Sequence, residues 1–250
     1  MVYFLIPAHE EEETIGLLLY KLRSVMENVR RDYLAIVLDD GSRDSTARVA
    51  EQYRKFLPVR VLKHAKNCGF GPALDRLVRE SCRLSRYPQR DIAITIEADF
   101  SWSPDPVPAM VREIEAGADI VIGARTRVDR PTESMPFSHR AAGRVVSTIL
   151  KAVMPLQGVT DYTSTFRAYR ISTLKQAIAA NQENLISSRD NAANVELLLR
   201  LGRLHPAIAE VPAPSRCDIR NRESRYNWQS AIKSQLGLTG RVDRAPAARS

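Results

Sequence analysis

Apolar residues fall along the first half of the chain in two alternating patterns. Val2–Ile6, Leu34–Leu38, Val59–Leu62, Ile92–Ile96 and Ile120–Ile122 are short, nearly continuous apolar runs, the signature of strands buried on both faces. Between them lie segments with a helical apolar period. Thr14–Val29 shows it most clearly, with Ile15, Leu18, Leu19, Leu22, Val25 and Met26 on one stripe. Asp44–Leu57, stopped by Pro58, then Gly71–Leu84 and Pro106–Ala116, read as helices in the same way. This alternation predicts a parallel sheet covered by helices on both faces.

After residue 125 the rhythm changes. Arg127–Pro136 carries charges and two prolines and reads as a mobile loop. Ala141–Met154 reads as an amphipathic helix, Phe166–Tyr169 as a short strand, Asn191–Leu201 as a helix and Ala207–Val211 as a strand. Val242–Ser250 is expected to be disordered. With 250 residues and 44% hydrophobic content the chain can bury a sizeable core. Its 37 Lys and Arg against 29 Asp and Glu give +8, which suits an anionic partner without choosing one. The segment from Arg216 onward holds eight basic and three acidic residues, five of those net charges. Cys68, Cys82 and Cys217 form no Cys-x-x-Cys pair, which argues against a zinc site, and they read as free thiols in a reducing compartment. Met1–Pro7 reads as a first strand rather than a signal peptide. No apolar run approaches the ~20 residues that span a bilayer, so membrane contact is expected to be peripheral or through a partner.

The polar clusters sit where the predicted strands end. Pro7-Ala8-His9-Glu10-Glu11-Glu12 follows the first strand, Asp39-Asp40-Gly41-Ser42-Arg43-Asp44 the second and Asn67-Cys68-Gly69-Phe70-Gly71 the third. Glu97-Ala98-Asp99 follows the fourth and Gly123-Ala124-Arg125 the fifth. Any one cluster is accounted for by helix capping. Five at one edge of a sheet point instead to a ligand, because open α/β sheets bind at the carboxyl ends of their strands. Carboxylates at 97 and 99, two apart on an extended segment, can share a hard divalent cation. Such a cation can offset concentrated negative charge on a bound ligand. The structural alternative for the same two residues is a capping or ion-paired carboxylate pair.

The order of these clusters resembles the family 2 glycosyltransferases of the GT-A fold, and within them the polyprenyl-phosphate sugar synthases. Pro7-x-His9-x-Glu11 is similar to the family's Pro-x-Tyr-Asn-Glu turn, and Asp39-Asp40-Gly41-Ser42-x-Asp44 matches its Asp-Asp-Gly-Ser motif. Asn67-x-Gly69-x-Gly71-x-Ala73 follows its Asn-x-Gly-x-x-x-Ala pattern. Glu97-Ala98-Asp99-Phe100-Ser101 stands where the family has Asp-Ala-Asp-Leu-Ser, and Asp161-Tyr162-Thr163-Ser164-Thr165-Phe166-Arg167 resembles Asp-x-Thr-Ser-Gly-Phe-Arg. Glu196, Ile208–Pro212 and the Arg220–Arg225 run resemble later family features.

The resemblance implies an α/β GT-A fold, Rossmann-like and mostly parallel, with a C-terminal acceptor-side extension. It divides the chain into a nucleotide-sugar half at 1–125, an acceptor half at 126–240 and a tail at 241–250. It implies an inverting transfer from a GDP- or UDP-linked sugar to a polyprenyl phosphate, with Mg²⁺ or Mn²⁺ on Glu97 and Asp99. Pro7, His9, Glu11, Asp39, Asp40, Asn67, Gly69 and Ala98 would line the nucleotide, and Asp99, Asp161 and Arg125 would serve catalysis. Arg125, Arg140, Arg167, Arg220, Ser224 and Arg225 would meet phosphate or acceptor. A phosphate acceptor is already anionic and needs no general base, so Asp161 would organise the acceptor side or hold Arg167. A hydroxyl acceptor would make Asp161 and Glu196 the candidate bases. The implied location is the cytoplasmic face of a membrane, reached directly or through a membrane-anchoring partner. Two other readings are the same chemistry on a saccharide or small hydroxyl, and a non-catalytic nucleotide-sugar binder. A nucleic-acid binder is disfavoured, since aromatics are only 6% and no aromatic-lined basic groove is evident. A dinucleotide fold is disfavoured because Gly69-x-Gly71 lacks the third glycine and follows the wrong strand.

Overall fold

The computed structural model describes residues 1–125, 148, 150–152, 155–181 and 185–214. The readings for 127–136 and 242–250, for most of the 141–154 helix, and for Arg140, Cys217, Arg220, Ser224 and Arg225 lie outside them. Thr148 and 150–152 are helical.

The strands are β1 (Val2–Ala8), β2 (Tyr33–Asp39), β3 (Val59–Lys63), β4 (Ile92–Thr95), β5 (Ile120–Ala124), β6 (Arg167–Arg170) and β7 (Ile208–Pro212). They form one sheet in the order β3-β2-β1-β4-β6-β5-β7. β1 pairs in parallel with β2 and β4, β2 with β3, and β5 with β7, while β6 runs antiparallel between β4 and β5. The fold is mixed α/β with a mostly parallel sheet, as the apolar runs indicate. β1, β4 and β5 are buried almost throughout because helices cover both faces.

The helices are α1 (Ile15–Met26), α2 (Thr46–Gln52), α3 (Phe70–Leu84), α4 (Val107–Glu115), α5 (Ile171–Asn181) and α6 (Ala192–Gly202). The stripe read on Thr14–Val29 is the buried face of α1. Two cores result. Residues of α1 and α4 pack on one face of the sheet, and residues of α3, α5 and α6 on the other. The segment read as one helix to Leu57 breaks earlier: α2 stops at Gln52 and a 3₁₀ turn covers Tyr53–Lys55. α5 has no counterpart in the sequence reading. It follows β6 without an intervening residue, so no turn residue announces it.

The direction of β6 decides where the site is. Antiparallel to its neighbours, it pairs Arg167 with both Thr95 and Ile122, near the carboxyl ends of β4 and β5. The turn that precedes β6, Asp161–Phe166, is thereby delivered to the edge that carries the other clusters.

Candidate active site

The first two loops are laced together by backbone amides and short side chains. The Glu10 and Glu11 amides donate to Ser42 Oγ and Thr46 Oγ1 at 2.9 and 2.8 Å. The Ser45 amide returns a bond to the Glu12 carboxylate at 2.9 Å. Glu10 holds φ +55°, a costly conformation for a residue with a side chain, and the lacing pins it there. Glu11 also accepts from the Thr14 hydroxyl at 2.8 Å. Pro7, His9 and Glu11 are all partly exposed along this loop.

Asp39 and Asp40 divide their work. Asp39 Oδ1 accepts from the Ser42 amide at 3.1 Å and so closes its own turn. Asp40, only 4% exposed, reaches across to the next loop. Its Oδ1 accepts from the Cys68 amide at 3.0 Å and its Oδ2 from the Gly69 amide at 2.8 Å, and His64 Nδ1 stands 2.6 Å from Oδ1. Asp40 therefore organises the Asn67–Gly69 turn, which leaves Asn67 exposed at its tip.

Gly41, at φ +68°, has the Lys66 carbonyl carbon 2.5 Å from where a Cβ would be. Gly69 and Gly71 are pressed against a distant segment. A Cβ on Gly69 would lie 2.5 Å from the Arg189 carbonyl oxygen, and one on Gly71 only 1.7 Å from that of Ser188. Only glycine admits this approach.

Just past β4, Ala98 is buried in the core. Asp99 is 6% exposed, and its Oδ1 accepts from the Ser101 amide at 2.9 Å. Phe100 between them has φ +58°, held by a ring that is 4% exposed. Glu97 is partly exposed. Two carboxylates at the strand end suit a hard cation that takes its remaining oxygens from a diphosphate and water, so the donor set fits the implied Mg²⁺ or Mn²⁺.

Arg125 and Asp161 form a close ionic contact. Arg125 Nε donates to Oδ2 at 2.8 Å and Nη2 to Oδ1 at 2.6 Å, a two-pronged pair. Arg125 Nη2 also meets Thr163 Oγ1. Asp161 Oδ1 further accepts from the Thr163 and Ser164 amides, each at 3.1 Å. Burial is the largest influence on Asp161 and by itself raises its pKa. The Arg125 charge and the bonds from Arg125 and Thr163 outweigh it and hold the carboxyl below its ordinary range. Glu210 clamps the same turn from β7, accepting from the amides of Thr160 and Asp161 at 2.6 and 3.0 Å.

The Arg125 guanidinium lies 5.8 Å from the Trp102 ring centroid, within range of a cation–π contact. The indole N–H donates to Thr165 Oγ1 at 2.9 Å. Thr165 replaces the glycine of the resembled motif and uses its hydroxyl to fix Trp102. The sequence reading missed Trp102, although it lies three residues beyond Asp99 on the same turn.

Three expectations change. Asp161 holds Arg125, not Arg167. Arg167 is 0% exposed, and its Nη1 and Nη2 donate to the carbonyls of Asn194 and Tyr162 at 2.5 and 2.6 Å. It braces the fold from inside the sheet and does not stand where a phosphate could reach it. Glu196, 1% exposed, accepts from the Ser187 and Ser188 amides at 2.9 and 2.8 Å and pairs with Arg200 at 3.0 Å. Its carboxylate is occupied, which removes it as a candidate base.

The family model described as Glycosyl transferase family 2 matches residues 3–177, more than half the chain. The chain belongs to glycosyl transferase family 2. The matched span runs from the second residue of β1 through β6 and contains every cluster up to Arg167. Among similar proteins, a dolichol-phosphate mannosyltransferase of Pyrococcus furiosus is 25% identical over 68% of this chain and 46% of its own. An undecaprenyl-phosphate 4-deoxy-4-formamido-L-arabinose transferase of Pseudomonas fluorescens is 26% identical over 73% of this chain and 51% of its own. The family 2 chain thus spans about half the length of these relatives. Its fold is also that of glucosyl-3-phosphoglycerate synthase from Mycobacterium tuberculosis, solved with Mn²⁺, UDP and product. That likeness has a TM-score of 0.66 at 19% identity and covers 99% of this chain and 81% of that one.

Proposed function

We propose that this chain carries the catalytic centre of an inverting, metal-dependent transferase that moves a sugar from a nucleotide diphosphate to a polyprenyl phosphate. The observation that carries the reading is the occupied state of Asp161 and Glu196. Both candidate bases have their oxygens committed to Arg125, Arg200 and backbone amides. A site whose two candidate bases among the described residues are so engaged suits a nucleophile that arrives already ionised, and a phosphate monoester does so near neutral pH.

The donor's diphosphate would be held by a divalent cation on Asp99 and Glu97, which supplies charge neutralisation to the leaving group. Its base and ribose would lie along Pro7, His9, Glu11, Asp39 and Asn67, with Asp40 positioning the Asn67–Gly69 turn. Ala98, between the two carboxylates, is packed into the core, so the expected nucleotide contact at this position is limited to its backbone. Arg125, one-third exposed and seated on Trp102, presents a fixed guanidinium edge beside Asp161. Arg140, Arg220, Ser224 and Arg225 remain proposed contacts for acceptor phosphate. The names of the two polyprenyl-phosphate relatives support this acceptor class. The UDP and Mn²⁺ bound by the mycobacterial synthase support a nucleotide sugar and a hard metal. No helix among the described residues is long and apolar enough to cross a membrane. A lipid acceptor would be met at a membrane surface, which we take to be the cytoplasmic face, aided by basic residues or a partner.

The test supplies radiolabelled nucleotide sugars, Mg²⁺ or Mn²⁺ and a membrane fraction, and follows label into butanol-extractable lipid. Label appearing there, and lost with Asp99→Ala, is the expected result. Label that passes only to water-soluble saccharide would overturn the lipid acceptor. Nucleotide-sugar binding with no turnover under any of these conditions would overturn catalysis.

A further inference from the structure

A second cluster of metal-binding side chains lies beside the nucleotide edge. Asp40 at the end of β2 and His64 and Cys68 beyond β3 place one ligand atom each within 4.8 Å of one another. It is the one such group of three among the described residues, and it does not include Glu97 or Asp99. The sequence reading treated Cys68 as a free thiol because no second cysteine stands near it. The fold brings Asp40 from the neighbouring strand end to His64 and Cys68, which share the segment beyond β3.

We propose that Asp40, His64 and Cys68 form a binding site for a zinc-class cation, distinct from the Asp99 site. The ligand types decide the class: thiolate and imidazole favour zinc, whereas magnesium and manganese favour oxygen alone. The scaffold is already ordered. The Gly69 amide fixes Asp40 Oδ2 at 2.8 Å, leaving Oδ1 directed toward His64 Nδ1 and the Cys68 amide. An outer hydrogen bond of this kind orients a ligating carboxylate. Cys68 Sγ is 3.3 Å from the Lys66 carbonyl oxygen, and both Cys68 and His64 are partly exposed, which gives a cation a path from solvent.

Tetrahedral zinc bonds of about 2.0–2.1 Å to nitrogen and about 2.3 Å to sulfur set the ligand atoms about 3.3–3.6 Å apart. His64 Nδ1 and Asp40 Oδ1, now 2.6 Å apart, must separate by less than ~1 Å to meet that geometry, and the thiol closes by rotation. On binding, the Cys68 thiol releases its proton, the His64 ring proton resides on Nε2, and Zn²⁺ keeps its oxidation state. The fourth position is left to water, and the loaded site ties the Asp39–Ser42 turn to the Asn67–Gly69 turn.

The chelator-stripped full chain, titrated with Co²⁺ as a coloured stand-in for Zn²⁺, tests this. The expected result is a thiolate-to-cobalt charge-transfer band with tetrahedral d–d bands, saturating at one equivalent and bleached by one equivalent of Zn²⁺. Cys68→Ser removes the charge-transfer band, and His64→Asn, which retains a donor toward Asp40, weakens cobalt binding at least tenfold. Cys82→Ser and Asp99→Ala leave the spectrum unchanged. Zn²⁺ also slows alkylation of Cys68 by iodoacetamide. Matching circular dichroism and melting of metal-free Cys68→Ser and parent chain show that the variant folds. Absence of a thiolate band in the parent chain, or its survival in folded Cys68→Ser, would overturn the proposal.

Discussion

Asp161 is a carboxylate whose basicity has been spent on holding an arginine. Its depressed pKa means that the unfolded chain binds its proton more readily than the folded one. The stabilisation is therefore fully present above the ordinary carboxylate pKa, and it is lost as pH falls through the lower folded value. Urea unfolding of parent and Asp161→Asn chains should show this. The gap between them is expected to be constant near neutrality and to close only in the acid range. Kinetically, Asp161→Asn is expected to lower kcat by about 10²-fold through misplacement of Arg125, with the acid limb of the pH–rate profile keeping its shape. Disappearance of that limb would make Asp161 a base after all. Asp99→Ala is expected to reduce turnover by ~10²-fold or more, because the cation that would offset the leaving group's charge loses its carboxylate ligand, while leaving the melting temperature close to that of the parent.

At this scale the sequence was informative about which residues cluster and uninformative about their pairing. Arg125 and Asp161 were both singled out, yet nothing between them signals that they meet. Arg167 misled because burial of an arginine leaves no trace in local pattern: its neighbours Phe166, Ala168 and Tyr169 suit a strand whether the guanidinium points to solvent or to carbonyls. Trp102 escaped notice, and Thr165 was read only as the residue in place of a motif glycine, because the bond between them forms only when the fold brings them together.

Among the elements, the strands buried on both faces were the most legible. In a continuous apolar run such as Ile92–Ile96, successive side chains point to opposite faces of the sheet, so neither face can be left to water. The antiparallel sense of β6 was not legible. Direction depends on the length and path of the preceding connection, not on the four residues Arg167–Arg170. The glycines of the 67–71 segment were legible as a motif, but their physical reason lies on another element. Gly71→Ala would drive a Cβ into the Ser188 carbonyl. A cost of about 1–3 kcal/mol is expected from such overpacking, read as a lowered urea midpoint with an unchanged slope. The same substitution at Gly117, where nothing lies within 4 Å but φ is +120°, would register backbone strain alone and serves as the comparison.

For the molecule as a whole, a charge of +8 carries a prediction about surfaces. Binding to vesicles containing anionic lipid is expected to exceed binding to neutral vesicles. It should weaken steeply with added salt, each Lys or Arg near the surface being worth about 1 kcal/mol at physiological ionic strength. Co-sedimentation across a salt series reads this out, and binding indifferent to salt would count against an electrostatic surface contact.

The carbonyls of Ser188 and Arg189 that receive Gly71 and Gly69 belong to a stretch held down by Glu196. During translation those residues emerge long after the glycines they support. At about 5–20 residues per second the delay is on the order of 10 s. Through that interval the Asn67–Gly69 turn lacks its buttress, so in a chain stalled on the ribosome before α6 this turn is expected to be cut by protease faster than in the finished chain.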